Sequence, residues 1–186
     1  IKVVVFGTGS AGKTSVVNAL MGRVVGSVEA PMGSTKVGET YGLKLSALER
    51  EILITDTPGI LEAGVTGRER GQMAKVLATD ANLLLFVVDN DLQQSEYIAL
   101  KSLAEIGKRS LVVFNKTDLY TTEDHEAILV RLRERLVGVV SKMDIVAIAA
   151  CPNSVKLETG EVYQPEPDII ALIERLAAVL RLEGED

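Results

Sequence analysis

The sequence predicts a three-layer α/β fold, with helices on both faces of a mostly parallel sheet of about six strands and one antiparallel edge strand. Three observations carry that expectation. Short continuous apolar runs such as Leu83 to Val88 read as strands buried on both faces. Amphipathic helical stretches alternate with such runs along the whole length. The 186 residues, 47% hydrophobic and 25% charged, suit one domain with a substantial core.

The elements follow in order. Lys2 to Phe6 is an apolar strand, and Gly12 to Met21 carries a helical pattern. Gly22 to Lys36 is rich in Gly, Ser and small residues, holds Pro31 and has no clear period, so it reads as a long functional loop. Val37 to Ala47 and Glu51 to Thr55 are strand candidates too close together for an intervening helix. They predict an antiparallel hairpin turning near Leu48 to Arg50 at one edge of the sheet. Ile60 to Gln72 spaces Gly64, Gly67 and Gly71 among charges and predicts a second loop, running into a helix around Glu69 to Thr79. Leu83 to Val88 is the central strand, followed by a helix over Gln94 to Ile106, and Leu111 to Phe114 is another buried strand. Thr121 with Asp124 three residues later forms an acidic variant of a capping box and starts a helix reaching Val139. Its charges, Arg131, Arg133, Glu134 and Arg135 among them, read as a solvated face. Ile145 to Ala149 is the last sheet strand, Val155 to Tyr163 a small hairpin around Thr159-Gly160, and Asp168 to Leu182 the final helix.

Chemistry gathers at the ends of these strands, where open α/β sheets hold their ligands. Gly7 to Thr14 reads GTGSAGKT and has the P-loop spacing, placed between a strand and a helix. Backbone N–H groups of Gly9, Ser10, Ala11, Gly12, Lys13, Thr14 and Ser15 can cradle phosphate at the positive end of the helix dipole. Lys13 would reach the β- and γ-phosphates, and the Thr14 hydroxyl would bind magnesium. Asp56-Thr57-Pro58-Gly59 closes a strand. The carboxylate of Asp56 suits a water of the magnesium shell, and the Gly59 N–H can approach a γ-phosphate unobstructed. Asn115-Lys116-Thr117-Asp118 closes another strand. Asp118 can accept two hydrogen bonds from guanine N1–H and the exocyclic amine, which adenine cannot supply, and a site left with unpaired polar groups rejects the wrong base strongly. Asn115 can contact guanine N7 and tie loops together, and the Lys116 stem can lie along the base. Backbone N–H groups of Ala147 to Ala150, and of Ala149 and Ala150 in particular, stand by position where guanine O6 is read.

GTGSAGKT, DTPG at Asp56 to Gly59 and NKTD at Asn115 to Asp118, in that order, make the chain resemble the translation-factor-related class of GTPases, its Era- and TrmE-like group in particular. The resemblance covers nearly the whole chain. It implies a P-loop NTPase fold and a magnesium-dependent GTP-binding protein that hydrolyses GTP to GDP and phosphate as a two-state switch. It also implies that a threonine of the first loop closes over magnesium and γ-phosphate. Thr35 matches by its distance from Lys13; Thr40 is the second choice, because it should already lie in a strand. The sites so implied are Lys13, Thr35 and Gly59 for catalysis and Thr14, Thr35 and Asp56 for the metal. Three positions depart from the group. Ser10 stands where an asparagine often helps hold a monovalent cation and gives the P-loop dynamin-like character, so potassium assistance stays open. Ala149-Ala150 replaces the usual serine-alanine pair. Ile60 follows Gly59 where Ras-like enzymes place a water-orienting glutamine, so the missing group must come from Arg68, Arg70, Glu62 or Glu69, a second subunit or a partner. Slow intrinsic turnover follows. The alternative is a guanine-nucleotide-binding assembly or docking module with little hydrolysis.

Composition narrows the remaining classes. A formal charge of −6 argues against broad attraction to nucleic acid, and the longest apolar run is too short to cross a bilayer. The single cysteine, Cys151, excludes an internal disulfide and fits a reducing, cytoplasmic compartment. Ile1 already lies within a strand, so the expectation is one G domain, residues 1–186, cut from a longer protein. Membrane association would reside in segments beyond it.

Overall fold

The computed structural model describes residues 1–7, 11–23, 33–35, 38–44, 51–57, 76 and 78–184. Strand β1 (Lys2–Gly7) is the hub. Its Val3, Val4, Val5 and Phe6 are all buried, which requires apolar cover on both faces and a strand on either side. The sheet has seven strands in the order β2-β3-β4-β1-β5-β6-β7. These are β2 (Gly33–Thr35), β3 (Gly38–Lys44), β4 (Glu51–Asp56), β5 (Leu83–Val88), β6 (Arg109–Phe114) and β7 (Ile145–Ala147) around β1. β1 runs parallel to β4, with Lys2 opposite Leu53, and to β5, with Val3 opposite Leu83. β6 and β7 continue the parallel set, whereas β2 and β3 are antiparallel to their neighbours.

The expected fold class holds, with one strand more than the sequence suggested. The extra strand is Gly33–Thr35, inside the stretch read as a loop; Gly and Ser carry little strand propensity, and pairing with β3 supplies the order they lack. Thr35 therefore lies in a strand just as Thr40 does, so strand placement does not separate the two candidates. The turn expected at Leu48 to Arg50 lies outside the described residues. Of the expected helix at Glu69 to Thr79, Val76 and residues 78–80 are described, and they are helical.

Alternation along each strand splits the core in two. Val3, Val5, Leu83, Leu85, Val87, Leu111 and Val113 face α1 (Lys13–Arg23) and the last helix, α4 (Ile170–Gly184), which contributes Leu172, Leu176 and Val179. Val4, Phe6, Leu84, Phe86, Val88, Val112 and Phe114 face α2 (Gln94–Glu105) and α3 (Thr122–Arg135), through Leu100, Leu103, Ile128, Leu129 and Leu132. α3 begins on Thr121, whose side chain accepts from the Asp124 N–H at 3.2 Å as the capping pattern predicts. It ends at Arg135 rather than Val139, and the chain turns through Gly138 at φ 81°, a left-handed conformation that glycine adopts freely. Arg135 is not part of a solvated face: it pairs with Asp91 at 3.3 Å, donates to the Leu92 carbonyl and lies over the Tyr97 ring.

At the edge of the sheet away from the strand C-termini, buried Asp144 receives Arg109 at 3.3 Å and Arg175 at 2.8 Å, locking β6, β7 and α4 together. The hairpin β8 (Val155–Lys156) with β9 (Val162–Tyr163) forms as expected and stands apart from the main sheet. No helix among the described residues is long and apolar enough to cross a membrane.

Candidate functional site

The C-terminal ends of β1, β4, β5, β6 and β7 converge, and four of the expected motifs meet there. Lys13, the first residue of α1, is buried although charged. Its ammonium donates to the Thr57 carbonyl at 2.8 Å and lies 3.3 Å from Asp56 Oδ1. A buried lysine needs such compensation, because desolvating an unpaired ammonium costs several kcal/mol, on the order of the stability of a small domain. Thr57 is in turn fixed from below, its hydroxyl donating to the Val5 carbonyl of β1 at 2.6 Å. Thr14 Oγ1 lies 3.2 Å from Asp56 Oδ2. Asp56 Oδ1 is buried and, beyond its ion pair with Lys13, receives no hydrogen bond from another described residue. A hydroxyl and a carboxylate with an unsatisfied oxygen, both hard donors at the mouth of a phosphate loop, are the oxygen set that a magnesium ion takes. The residues present fit that ion.

The base side is built on Asn115. It is buried, its Nδ2 donates to the Ala11 carbonyl at 2.9 Å, and its Oδ1 accepts from the Ala150 N–H at 2.9 Å. One amide thus ties the phosphate loop to the loop after β7, and a second hydrogen on Nδ2 remains for a ligand. The approach is close. A Cβ on Gly12 would lie 2.5 Å from Asn115 Nδ2, and Gly12 has φ 84°, so only glycine fits there. Thr117 clamps the same loops, its N–H and hydroxyl both donating to the Ile148 carbonyl at 3.2 and 3.0 Å. Asp118 is exposed, and its Oδ2 accepts from the Asn153 N–H at 3.0 Å. That contact orients the carboxylate toward the loop that follows Ala150. Between α1 and this loop lies a cavity of about 460 Å³, lined by Ser15, Asn18, Ala19 and Gly22 on one side and Ala150, Cys151, Glu166 and Pro167 on the other.

The structure revises one expectation at this end. The N–H of Ala149 donates to the Asp168 carbonyl and that of Ala150 to Asn115, so neither of the two amides assigned to O6 is open to a base. The next one along, at Cys151, makes no hydrogen bond to another described residue. Gly9, Ser10, Gly59, Ile60 and the Glu62, Arg68, Glu69 and Arg70 set lie outside the described residues, as does the side chain of Thr35. The sequence reading missed Thr57 and Asn153 as supports. Thr57 was legible, being inside the DTPG stretch; nothing local marked Asn153.

A family model described as 50S ribosome-binding GTPase matches residues 2–116, from β1 to the lysine of the base loop. This chain belongs to that family. It is a GTPase G domain, and its curated relatives include a tRNA modification GTPase MnmE of Nitratidesulfovibrio vulgaris (strain DP4), 39% identical over 120 residues, covering 63% of this chain and 25% of the relative. A GTPase Era of Aquifex aeolicus (strain VF5) is 30% identical over 122 residues, covering 62% of this chain and 40% of the relative. The chain therefore spans well under two thirds of the length of these relatives. Among solved structures, the G domain of the T. maritima FeoB iron transporter covers 97% of this chain and 98% of its own, with TM-score 0.58 and 21% identity. Translation elongation factor SelB from Methanococcus maripaludis, in complex with the GTP analogue GppNHp, has TM-score 0.66 and 18% identity, over 97% of this chain and 34% of its own. At those identities the G domain shares its fold with them, and the site geometry rests on its own residues.

Proposed function

We propose that this domain binds GTP with magnesium, hydrolyses it slowly to GDP and phosphate, and alternates between two states as it does so. The observation that carries this reading is the cluster at the ends of β1 and β4, where Lys13, Thr14 and Asp56 meet within 3.3 Å. Lys13 would leave Asp56 and Thr57 for the β- and γ-phosphate oxygens, a like-for-like exchange of anionic and carbonyl partners. Thr14 and Asp56 would hold the magnesium ion, with Thr35 joining them in the GTP state. When bound, that ion neutralises charge on the phosphates. The Gly59 N–H would register the γ-phosphate, so that loss of phosphate releases both loops, 22–36 and 60–72.

The base assignment rests on Asp118, Asn115 and the amide of Cys151. Asp118 would accept from N1–H and the 2-amino group, Asn115 Nδ2 would donate to N7, and the Cys151 N–H would donate to O6 in place of the committed amides of Ala149 and Ala150. The cavity between α1 and the loop after β7 reaches this site at Ala150 and Cys151. A potassium ion beside Ser10 is an additional element of the reading, to be tested separately from magnesium. Single-turnover hydrolysis of bound GTP, with competition between GDP and ADP, tests the proposal. GTP intact after hours would favour a docking module, and tighter ADP binding would overturn the guanine assignment.

A further inference from the structure

We infer that Asp89, immediately after β5, is a positioning residue for guanine nucleotide: it presets the Lys116 side chain on which the base is to lie. The inference rests on the guanine reading above and adds a residue that no sequence motif marks.

Lys116 is the one non-glycine residue with positive φ among those described, at 63°. A side chain in that left-handed region is disfavoured and persists where its surroundings hold it. Among the described residues these surroundings come from two sides: Thr117, fixed on the Ile148 carbonyl after β7, and the end of β5. The Asn115 N–H donates to the Val88 carbonyl at 2.7 Å, the Tyr120 hydroxyl donates to the Asp89 carbonyl at 2.6 Å, and Asp89 Oδ2 lies 3.9 Å from Lys116 Nζ. Asp89 thus engages the base-reading loop at both of its ends. The lysine stem between them is not idle, since Lys116 Cε lies 3.6 Å from where a Cβ on Gly12 would sit. The side chain therefore runs from the base loop over the start of α1 to the end of β5.

The neighbouring charges leave Asp89 for this task. Arg135 is engaged by Asp91, the Leu92 carbonyl and the Tyr97 ring, so the cation that Asp89 faces among the described residues is Lys116. A flexible lysine stem loses rotamer freedom when a purine lies against it; a carboxylate that already holds the ammonium removes part of that cost before binding. Both groups are a little over one third exposed, so the effect is modest and screened by salt.

The test follows release of ribose-labelled fluorescent GDP from the domain. Asp89→Asn should speed release about three- to fivefold, leave turnover at saturating GTP unchanged, and leave the melting temperature of the nucleotide-free domain within about a degree. Lys116→Met keeps an apolar stem without the charge, and adding Asp89→Asn to it should bring no further acceleration. Raising salt should speed release from both proteins through their phosphate contacts and should narrow the gap between the parent chain and Asp89→Asn. Should Asp89→Asn fold poorly, Asp89→Glu and Asp89→Ser carry the same test: Asp89→Glu, which keeps the charge, should release GDP within about twofold of the parent, Asp89→Ser should release it about three- to fivefold faster, and equal rates in the two would overturn the inference. Unchanged release, or an equal acceleration in the Lys116→Met background, would overturn the inference. A parent chain that holds no GDP at all would instead overturn the guanine reading on which it rests.

Discussion

Removing Asp56 strands a buried cation. Lys13 and Asp56 compensate one another in a cleft where both side chains are nearly enclosed. Truncating one partner of such a pair leaves the other desolvated, at a cost of about 3–5 kcal/mol. Asp56→Ala should therefore lower the stability of the nucleotide-free domain by about 3 kcal/mol in urea titration and also abolish magnesium-dependent hydrolysis. Saturating GDP should recover part of the stability, because its phosphates offer Lys13 a new partner. Glu96 gives a second prediction at this scale. It is buried, and it accepts from the Gln93 N–H at 2.9 Å as the distal half of a capping box at the start of α2. Burial raises its pKa above the ordinary 4.5, the Gln93 hydrogen bond opposes that, and the charge of Asp89 adds to it. The folded state thus favours the protonated form, so the stability linked to Glu96 is full below pH 4.5 and is lost as pH rises through its raised pKa. Glu96→Gln keeps an acceptor for Gln93 without the charge. Its melting temperature relative to the parent should accordingly be higher at pH 8 than at pH 4; a pH-independent difference would refute the assignment.

At the scale of elements, α3 depends on its first residue. Thr121 caps the helix through Asp124, and α3 carries Ile128, Leu129 and Leu132 into the core beside Phe114. Thr121→Ala should cost about 1 kcal/mol in equilibrium unfolding and leave nucleotide affinity unchanged. This element shows what was legible in the sequence and why. Its cap is a local hydrogen bond between residues three apart, and local chemistry is written in local spacing. The same holds for the Asp56 and Asn115 stretches, which sit at strand ends, where the chain brings their side chains against Lys13 and the Ala11 carbonyl. Strand β2 was not legible, since Gly33, Ser34 and Thr35 acquire strand geometry by pairing with β3. The true end of α3 was missed because an apolar pair, Val139-Val140, continued the helical period past a glycine turn. The commitment of the Ala149 and Ala150 amides was equally hidden, since their acceptors lie 19 and 35 residues away, at Asp168 and Asn115.

At the scale of the whole molecule, the proposed slow turnover makes a prediction about assembly. Ile60 offers no group to orient water, so the isolated domain should turn over slowly. Multiple-turnover rates should rise with protein concentration, or when potassium replaces sodium, or with an added partner, by up to about 10³–10⁵ if an arginine is supplied in trans. Fast hydrolysis indifferent to all three would contradict this. The arrangement of the sheet has another consequence. The strand at its centre precedes every other described strand, and one of its two neighbours, β5, is complete only at Val88. During synthesis at about 5–20 residues per second, Val3 to Phe6 must wait several seconds for that partner to emerge. Until then β4 is the only one of its two sheet neighbours within reach, and the edge of β1 that pairs with β5 stays open in the nascent chain.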